Sequence, residues 1–235
     1  MKNITLKLTG ENDFFTQEAY KVLRTNLQFC GQDIKVIALT SCNENEGKTT
    51  VSLGLGKCLA ELDKKVLVID GDMRKSVIVG RNTDSQKVVG LSELLSGQES
   101  INDCIYKTQY PNLHLLFAGK YPPNPTELLN GRTFSVLIEA LRKHYDYILI
   151  DTPPLGQVID AAVIATQCDG SVLVIGSSRI HRTQAMDVVE QLKKSGSKVL
   201  GVIRNNAKKG GRGYYRYGYG KKYGYGKRYG YGKQV

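Results

Sequence analysis

The chain predicts an α/β fold, a mostly parallel sheet flanked by helices on both faces and followed by a disordered tail, on three observations. Six short runs, IKVIALT (34–40), KVLVID (65–70), LHLLFAG (113–119), YDYILID (145–151), GSVLVIG (170–176) and KVLGVIR (198–204), are rich in leucine and β-branched residues. Strands that are apolar on both faces belong to a parallel sheet covered on both sides. Helical stretches lie between these runs, as βαβ crossovers require. The last 28 residues, Lys208 to Val235, break the pattern: they hold eight of the fourteen tyrosines, nine basic residues, nine glycines and no acid.

The elements follow in order. An amphipathic helix at about 16–30 opens the domain. Ala19, Val22, Leu23, Asn26, Leu27 and Cys30 take its i, i+3, i+4, i+7 positions, with Asn26 the one polar member and Thr16 the expected N-cap. After strand 34–40 comes a polar loop, then a helix from Thr49 to about Leu62, then strand 65–70. Later helices are read at Arg132–His144, Val158–Cys168 and Arg182–Ser195. Residues 1–207 thus form one domain, large enough for a substantial core. In the tail (208–235), YGYGK recurs from Tyr217, Tyr223 and Tyr229. Apart from Val235 the tail has no aliphatic residue, so burial cannot offset the entropy of ordering it. Its repeated phenols suit accepting phosphate or stacking on nucleic acid.

Charge narrows the classes. The formal +11 comes from 33 Lys and Arg against 22 Asp and Glu, but nine of the cations sit in the tail, leaving 24 against 22 in residues 1–207. A body so nearly neutral is no general nucleic-acid binder by charge. MKNITLKLTGENDFF lacks the apolar centre of a signal peptide, and no run approaches the roughly 20 apolar residues of a membrane span, so a cytoplasmic protein is expected. Five scattered cysteines, with no CxxC pair, read as small buried hydrophobes in a reducing compartment.

Chemistry concentrates just past the strands, where open parallel sheets bind ligands. SCNENEGKTT (41–50) follows the first strand and opens a helix, and its GKT is the kernel of a phosphate-binding loop. Such a loop needs converging backbone N–H groups, a lysine for the β/γ-phosphates and a hydroxyl for Mg²⁺, which Gly47, Lys48 and Thr49 supply. Cys42 stands where GxxxxGK[ST] has its first glycine, and Asn43 and Asn45 are the residues that can replace glycine at positive φ. Strand 65–70 ends in Asp70-Gly71-Asp72-Met73-Arg74, and strand 145–151 ends in Asp151-Thr152-Pro153-Pro154. Each places a carboxylate where it can hold Mg²⁺ or its water opposite Thr49.

This constellation resembles the bacterial tyrosine kinases (BY-kinases) of capsule and exopolysaccharide synthesis, of the Gram-positive type in which the kinase is a separate soluble chain. EGKTT (46–50) matches their Walker A, VLVIDGDMR (66–74) their Walker A′ and YILIDTPP (147–154) their Walker B, while EAYKVLRTNLQF (18–29), PPNPTELL (122–129) and the tyrosine-rich tail extend the likeness over nearly the whole chain. Two departures stand out. Glu44-Asn45 replaces the family's Pro-Gly, adding an acid near the phosphates, and Lys21 replaces the middle arginine of Glu-x-x-Arg-x-x-Arg between Glu18 and Arg24.

The resemblance implies a P-loop NTPase-type fold and a MgATP-dependent protein-tyrosine kinase that phosphorylates tails in trans. The N–H groups of Asn45, Glu46, Gly47, Lys48, Thr49 and Thr50 would cradle phosphate. Thr49, Asp70 and Asp151 would hold Mg²⁺, and Asn205 would contact adenine. Asp70 or Asp72 would accept the phenol proton, with Asp72 favoured. The acceptors would be Tyr214, Tyr215, Tyr217, Tyr219, Tyr223, Tyr225, Tyr229 and Tyr231. A flexible tail of this length reaches roughly 30 Å, enough to enter a neighbour's site. Further implications are a ring-shaped homo-oligomer joined through Glu18, Lys21 and Arg24, an octamer being one candidate size, and a transmembrane adaptor of the polysaccharide co-polymerase type that recruits the kinase to the inner membrane face. A cognate phosphotyrosine phosphatase is also implied, and no specific nucleic acid. Three other readings compete: a partitioning-type P-loop ATPase switch, whose second lysine would fall at Asn43, a nucleic-acid-binding protein acting through the basic aromatic tail, and a pseudoenzyme scaffold suggested by the altered loop.

Overall fold

Alternate residues of the central strands enter two different hydrophobic cores. Val36 and Ala38 point into one with Leu67, Ile69, Ile148 and Ile150, while Ile37 and Leu39 point into the other with Val66, Val68 and Leu149. That is the period-2 signature of strands covered on both faces. The computed structural model describes residues 1–11, 13–83, 88–176 and 181–206. The tail with its eight candidate acceptor tyrosines lies outside the described residues.

In chain order the elements are β1 (Lys2–Asn3), α1 (Phe14–Phe29), β2 (Val36–Ser41), α2 (Lys48–Ala60), β3 (Val66–Asp70), α3 (Ile78–Asn82), α4 (Leu91–Leu95), α5 (Ile101–Cys104), β4 (Ile105–Lys107) and β5 (Leu113–Leu116). They continue with α6 (Pro125–Asn130), α7 (Arg132–Arg142), β6 (Tyr147–Asp151), α8 (Asp160–Ala165), β7 (Gly170–Gly176), α9 (Arg182–Lys194) and β8 (Val199–Asn205). The sheet has eight strands in the order β1-β4-β5-β3-β6-β2-β7-β8. The six apolar runs supply its parallel body, from β5 to β8. The other two strands are short additions at one edge, where β4 runs antiparallel to β5 and β1 pairs with β4. With two residues in β1 and three in β4, they are too short to show any periodicity. No described helix is long and apolar enough to cross a membrane. All five cysteines are free, and Cys42, Cys58 and Cys104 are buried.

Helix α1 departs from expectation at its start and in its packed face. Asp13, not Thr16, is the N-cap; its carboxylate accepts from the Thr16 amide at 2.9 Å and from the Thr16 hydroxyl at 2.7 Å. Aspartate is the stronger cap, and Thr16 becomes its partner. Val22 and Asn26, placed on the apolar stripe by periodicity, are exposed, and Phe29 is 82% exposed. Leu23 and Leu27 pack inward as the stripe predicts, and Tyr20 and Arg24 complete the packed face. The Tyr20 hydroxyl donates to the Thr50 carbonyl at 3.0 Å and the Arg24 guanidinium donates to the Cys58 carbonyl at 2.9 Å, so both contacts end on the backbone of α2. A count of apolar residues ranks these two side chains as polar, although their long apolar bodies bury well once the tips find acceptors.

Between those two hydrogen bonds the Tyr20 ring lies against Gly54, where a Cβ would overlap the phenol. Glycine is therefore required at 54 for close approach of the helices. Gly54→Ala should lower unfolding stability by about 1–3 kcal/mol, as overpacking does. Adding Tyr20→Ala should make the two losses clearly less than additive in denaturant titrations, because the second change makes room for the first.

Candidate nucleotide and phosphoryl-transfer site

The carboxyl ends of β2, β3 and β6 meet at a cleft of about 740 Å³. β2 ends at Ser41, and the chain turns through residues 42–47 into α2. Asn45 (φ 61°) and Gly47 (φ 89°) take the left-handed region. Of the two asparagines proposed to stand in for the missing glycine, Asn45 does so and Asn43 does not. Gly47 is needed twice over, for its φ and because a Cβ there would collide with the side-chain amide of Asn205.

The loop is braced from both sides. Asn205, at the end of β8, donates to the Glu46 carbonyl at 3.0 Å. The Glu46 side chain is buried and accepts the Asn43 amide at 2.9 Å. The Asn43 side-chain oxygen accepts from Gln184 at 3.0 Å. Glu46 thus belongs to the loop's internal frame. Asn205 lines the cleft as expected for a base contact, but it also fixes the loop. Glu44, the added acid, pairs with Lys75 at 2.7 Å across the mouth of the cleft, which holds its carboxyl below the ordinary range and masks its charge from the phosphate position.

Lys48 and Thr49 begin α2 and face the cleft. The Lys48 ammonium is buried and donates to the Ser41 hydroxyl at 3.0 Å; that hydroxyl donates in turn to the Asn43 carbonyl at 2.6 Å. Burial lowers the lysine's proton affinity, and Asp151 is the foremost acid opposing that shift. Ser41 was not singled out in the sequence, since a serine ending an apolar run looks like any strand terminus.

Asp70 and Asp151 are register partners on the adjacent strands β3 and β6, and both are buried. The Thr49 hydroxyl donates to Asp151 Oδ2 at 2.5 Å. Asp151 Oδ1 is buried with no hydrogen-bond partner among the described residues; the neighbouring Ser52 hydroxyl donates to the Lys48 carbonyl at 3.0 Å. Asp70 has both oxygens engaged, Oδ1 by the Asp72 amide at 3.1 Å and Oδ2 by the Ser76 hydroxyl at 2.5 Å. Burial, reinforced by Asp151, pushes the Asp70 carboxyl well above the usual range. Asp151 is raised to about 6, again chiefly by burial. Two buried carboxyls side by side, one with an unused oxygen, beside a threonine hydroxyl form a hard oxygen donor set that a Mg²⁺ ion suits.

Asp72 is arranged differently. The strand stops at Asp70, so the alternation that would have put both acids on one face does not continue. Asp72 instead caps the turn that follows: Oδ1 accepts the amides of Arg74 (3.2 Å) and Lys75 (2.9 Å). Its Oδ2 makes no hydrogen bond to the described residues, and the residue lines the cleft. Glu18, Lys21 and Arg24 lie on α1. Glu18 and Lys21 form a half-exposed pair at 2.7 Å, and Arg24 is directed onto α2.

A buried acid raised above its normal range destabilises the native state while it is ionised. With metal chelated, Asp151→Asn should therefore be more stable than the unsubstituted chain by up to about 3 kcal/mol at pH 7, the shift converted at 1.36 kcal/mol per unit. The gain should shrink as the pH falls from 6 toward 4, where the native carboxyl is already neutral. Thermal melts should also show that MgADP stabilises the unsubstituted chain and not the variant.

The chain matches the AAA domain family over residues 34–194. It is 45% identical over 208 residues to the tyrosine-protein kinase CpsD of Streptococcus agalactiae, spanning 88% of this chain and 91% of that one. The kinase domain of the Escherichia coli tyrosine kinase ETK superposes with a TM-score of 0.78 at 32% identity, covering 86% of this chain and 80% of that one. The septum site-determining protein MinD of Pyrococcus horikoshii, solved with Mg-ADP, superposes with a TM-score of 0.60 at 29% identity over 72% of this chain and 69% of its own. A nucleotide-binding P-loop, two buried acids at its cleft and this degree of likeness place the chain in one family: it belongs to the bacterial tyrosine-protein kinases of the P-loop type.

Proposed function

We propose that this chain is the separate catalytic subunit of a capsular or exopolysaccharide export system, which uses MgATP to phosphorylate the tyrosine cluster of another copy's tail. The observation that carries the reading is the in-register pair Asp70 and Asp151 facing Thr49 and Lys48, with Asp72 at the same cleft.

Each residue has a role that its surroundings support. The N–H groups of 45–50 and the Lys48 ammonium would bind the β- and γ-phosphates of ATP, and Asn205 the adenine. Thr49 and Asp151 would hold Mg²⁺ directly or through water, with Asp70 completing the shell. When bound, the cation neutralises phosphate charge as transfer proceeds. The phenol oxygen attacks the γ-phosphorus, the bond from phosphorus to the ADP oxygen breaks, and the phenol proton passes to a carboxylate. Asp72 is preferred over Asp70 for that proton, because its Oδ2 is unengaged whereas both Asp70 oxygens accept hydrogen bonds. The switch-ATPase alternative needs a lysine where this chain has Asn43, whose side chain is tied to Gln184.

The tail tyrosines from Tyr214 to Tyr231 are the proposed acceptors. A ring-shaped assembly would form through α1, with Glu18 and Lys21 offered at its surface and Arg24 holding the helix to α2. A transmembrane adaptor would recruit the ring to the inner membrane face, and a phosphotyrosine phosphatase would reset the tail.

Lys48→Met should lower tail phosphorylation by at least about 100-fold, since it removes a positioned charge at the transferring group, and phosphotyrosine mass spectrometry with MgATP would read the loss. Undiminished phosphorylation in that variant would place the nucleotide elsewhere. Asp72→Asn should be similarly inactive while binding MgATP with unchanged affinity, whereas Asp151→Asn should lose MgATP binding. Glu18→Ala with Lys21→Ala should dissociate the assembly in size-exclusion chromatography without weakening ATP binding by the monomer, and an intact assembly would remove the interface assignment.

A further inference from the structure

The segment between Asp70 and α3 carries Asp72, and one end of that segment is fastened to a buried aspartate remote in sequence. Arg74 donates from Nε to Asp160 Oδ2 at 2.6 Å and from Nη2 to Asp160 Oδ1 at 3.1 Å. The same Nη2 donates to the Thr126 hydroxyl at 2.9 Å, and that hydroxyl donates to Asp160 Oδ1 at 2.7 Å. Every member therefore bonds to the other two. Asp160 is 1% exposed, and Arg74 is its one ion-pair partner among the described residues. A bidentate guanidinium fixes direction as well as charge, which one lysine contact would not.

The geometry joins three segments at one point. Arg74 lies four residues beyond the end of β3, Asp160 begins α8 on the chain that leaves Asp151, and Thr126 is in the first turn of α6. Arg74 is also the residue whose backbone amide donates to Asp72 Oδ1. Its side chain is held by Asp160 and Thr126 while its main chain holds Asp72. We propose that Asp160 and Thr126 are positioning residues for Asp72: through Arg74 they set where the free Oδ2 of Asp72 stands when a tyrosine enters the cleft.

The proposal rests on the reading of Asp72 as the proton acceptor and separates from it in the test. Neither Asp160 nor Thr126 lines the nucleotide cleft, and neither bonds to Lys48, Thr49 or Asp151. A clamp acting on Asp72 alone should thus alter turnover and leave nucleotide binding in place.

The experiment compares Asp160→Asn, Thr126→Val, Thr126→Ser and Asp72→Asn in the full chain, measuring kcat for tail phosphorylation, KM for ATP and MgADP affinity. Asp160→Asn and Thr126→Val should lower kcat by on the order of 10- to 100-fold, the scale of a small misplacement of a reacting group, with KM for ATP and MgADP affinity within about twofold. Thr126→Ser keeps the hydroxyl and should retain most of the turnover. In an Asp72→Asn background neither clamp variant should cost anything further. Should Asp160→Asn fail to fold, the valine and serine pair at 126 decides alone. Full turnover in both clamp variants beside an inactive Asp72→Asn would overturn the clamp and leave the proton-acceptor reading standing. An active Asp72→Asn would overturn that reading and the clamp with it. A loss of turnover matched by an equal loss of MgADP affinity would show a merely structural role and also overturn the clamp.

Discussion

Two carboxyl groups buried side by side at the ends of adjacent strands are the constraint around which this molecule is organised. Asp70 and Asp151 share a register position on β3 and β6, and burial makes the ionised form of each unfavourable. An apolar protein would not place them there, since an unpaired buried charge costs several kcal/mol. The surrounding residues offset only part of that cost. Ser76 and the Asp72 amide serve Asp70, Thr49 serves one oxygen of Asp151, and the remaining oxygen has no hydrogen-bond partner among the described residues. Lys48 supplies Asp151 with part of a counter-charge, and a metal-bound polyphosphate is the kind of ligand that brings more. Binding and stability are thereby linked at one point of the sheet.

The phosphate loop shows how a motif survives the loss of residues that usually define it. The left-handed turn that a glycine would take falls to Asn45, and Glu46 turns inward to bind the Asn43 amide, so the loop is shaped by its own side chains. The acid introduced at Glu44 is held by Lys75 from the neighbouring loop. An exposed pair of this sort contributes little to stability. Its consequence is electrostatic, because it keeps a fourth carboxylate from adding its full charge to the field of Asp70, Asp72 and Asp151 in the cleft.

The parallel sheet was legible because both of its faces are buried, which leaves uninterrupted apolar runs that few other arrangements produce. The acids were legible for the same reason, since a charge closing such a run has little else to do. What escaped notice were residues whose role depends on a distant partner. Ser41, Ser76, Thr126 and Asp160 look like ordinary helix and strand ends until folding brings them to Lys48, Asp70 and Arg74. The packed face of α1 is only partly legible, because Leu23 and Leu27 follow the apolar stripe while Tyr20 and Arg24 count as polar in any periodicity. β1 and β4 are too short to carry a pattern at all.

Helix α2 connects the site to the outside of the molecule. It is buried on several sides, with Val51, Leu53, Leu55 and Leu59 all inside the core, and it begins with two residues that line the cleft. A helix so enclosed cannot shift alone, because its neighbours would have to repack with it. Its exposed flank is covered by α1, which grips the backbone at Thr50 and Cys58 with Gly54 between them. Thr50 lies one residue beyond the threonine that bonds Asp151. A partner pressing on the outer face of α1 would therefore act, through two hydrogen bonds and one aromatic ring, on the same rigid element that presents Lys48 and Thr49 to the cleft.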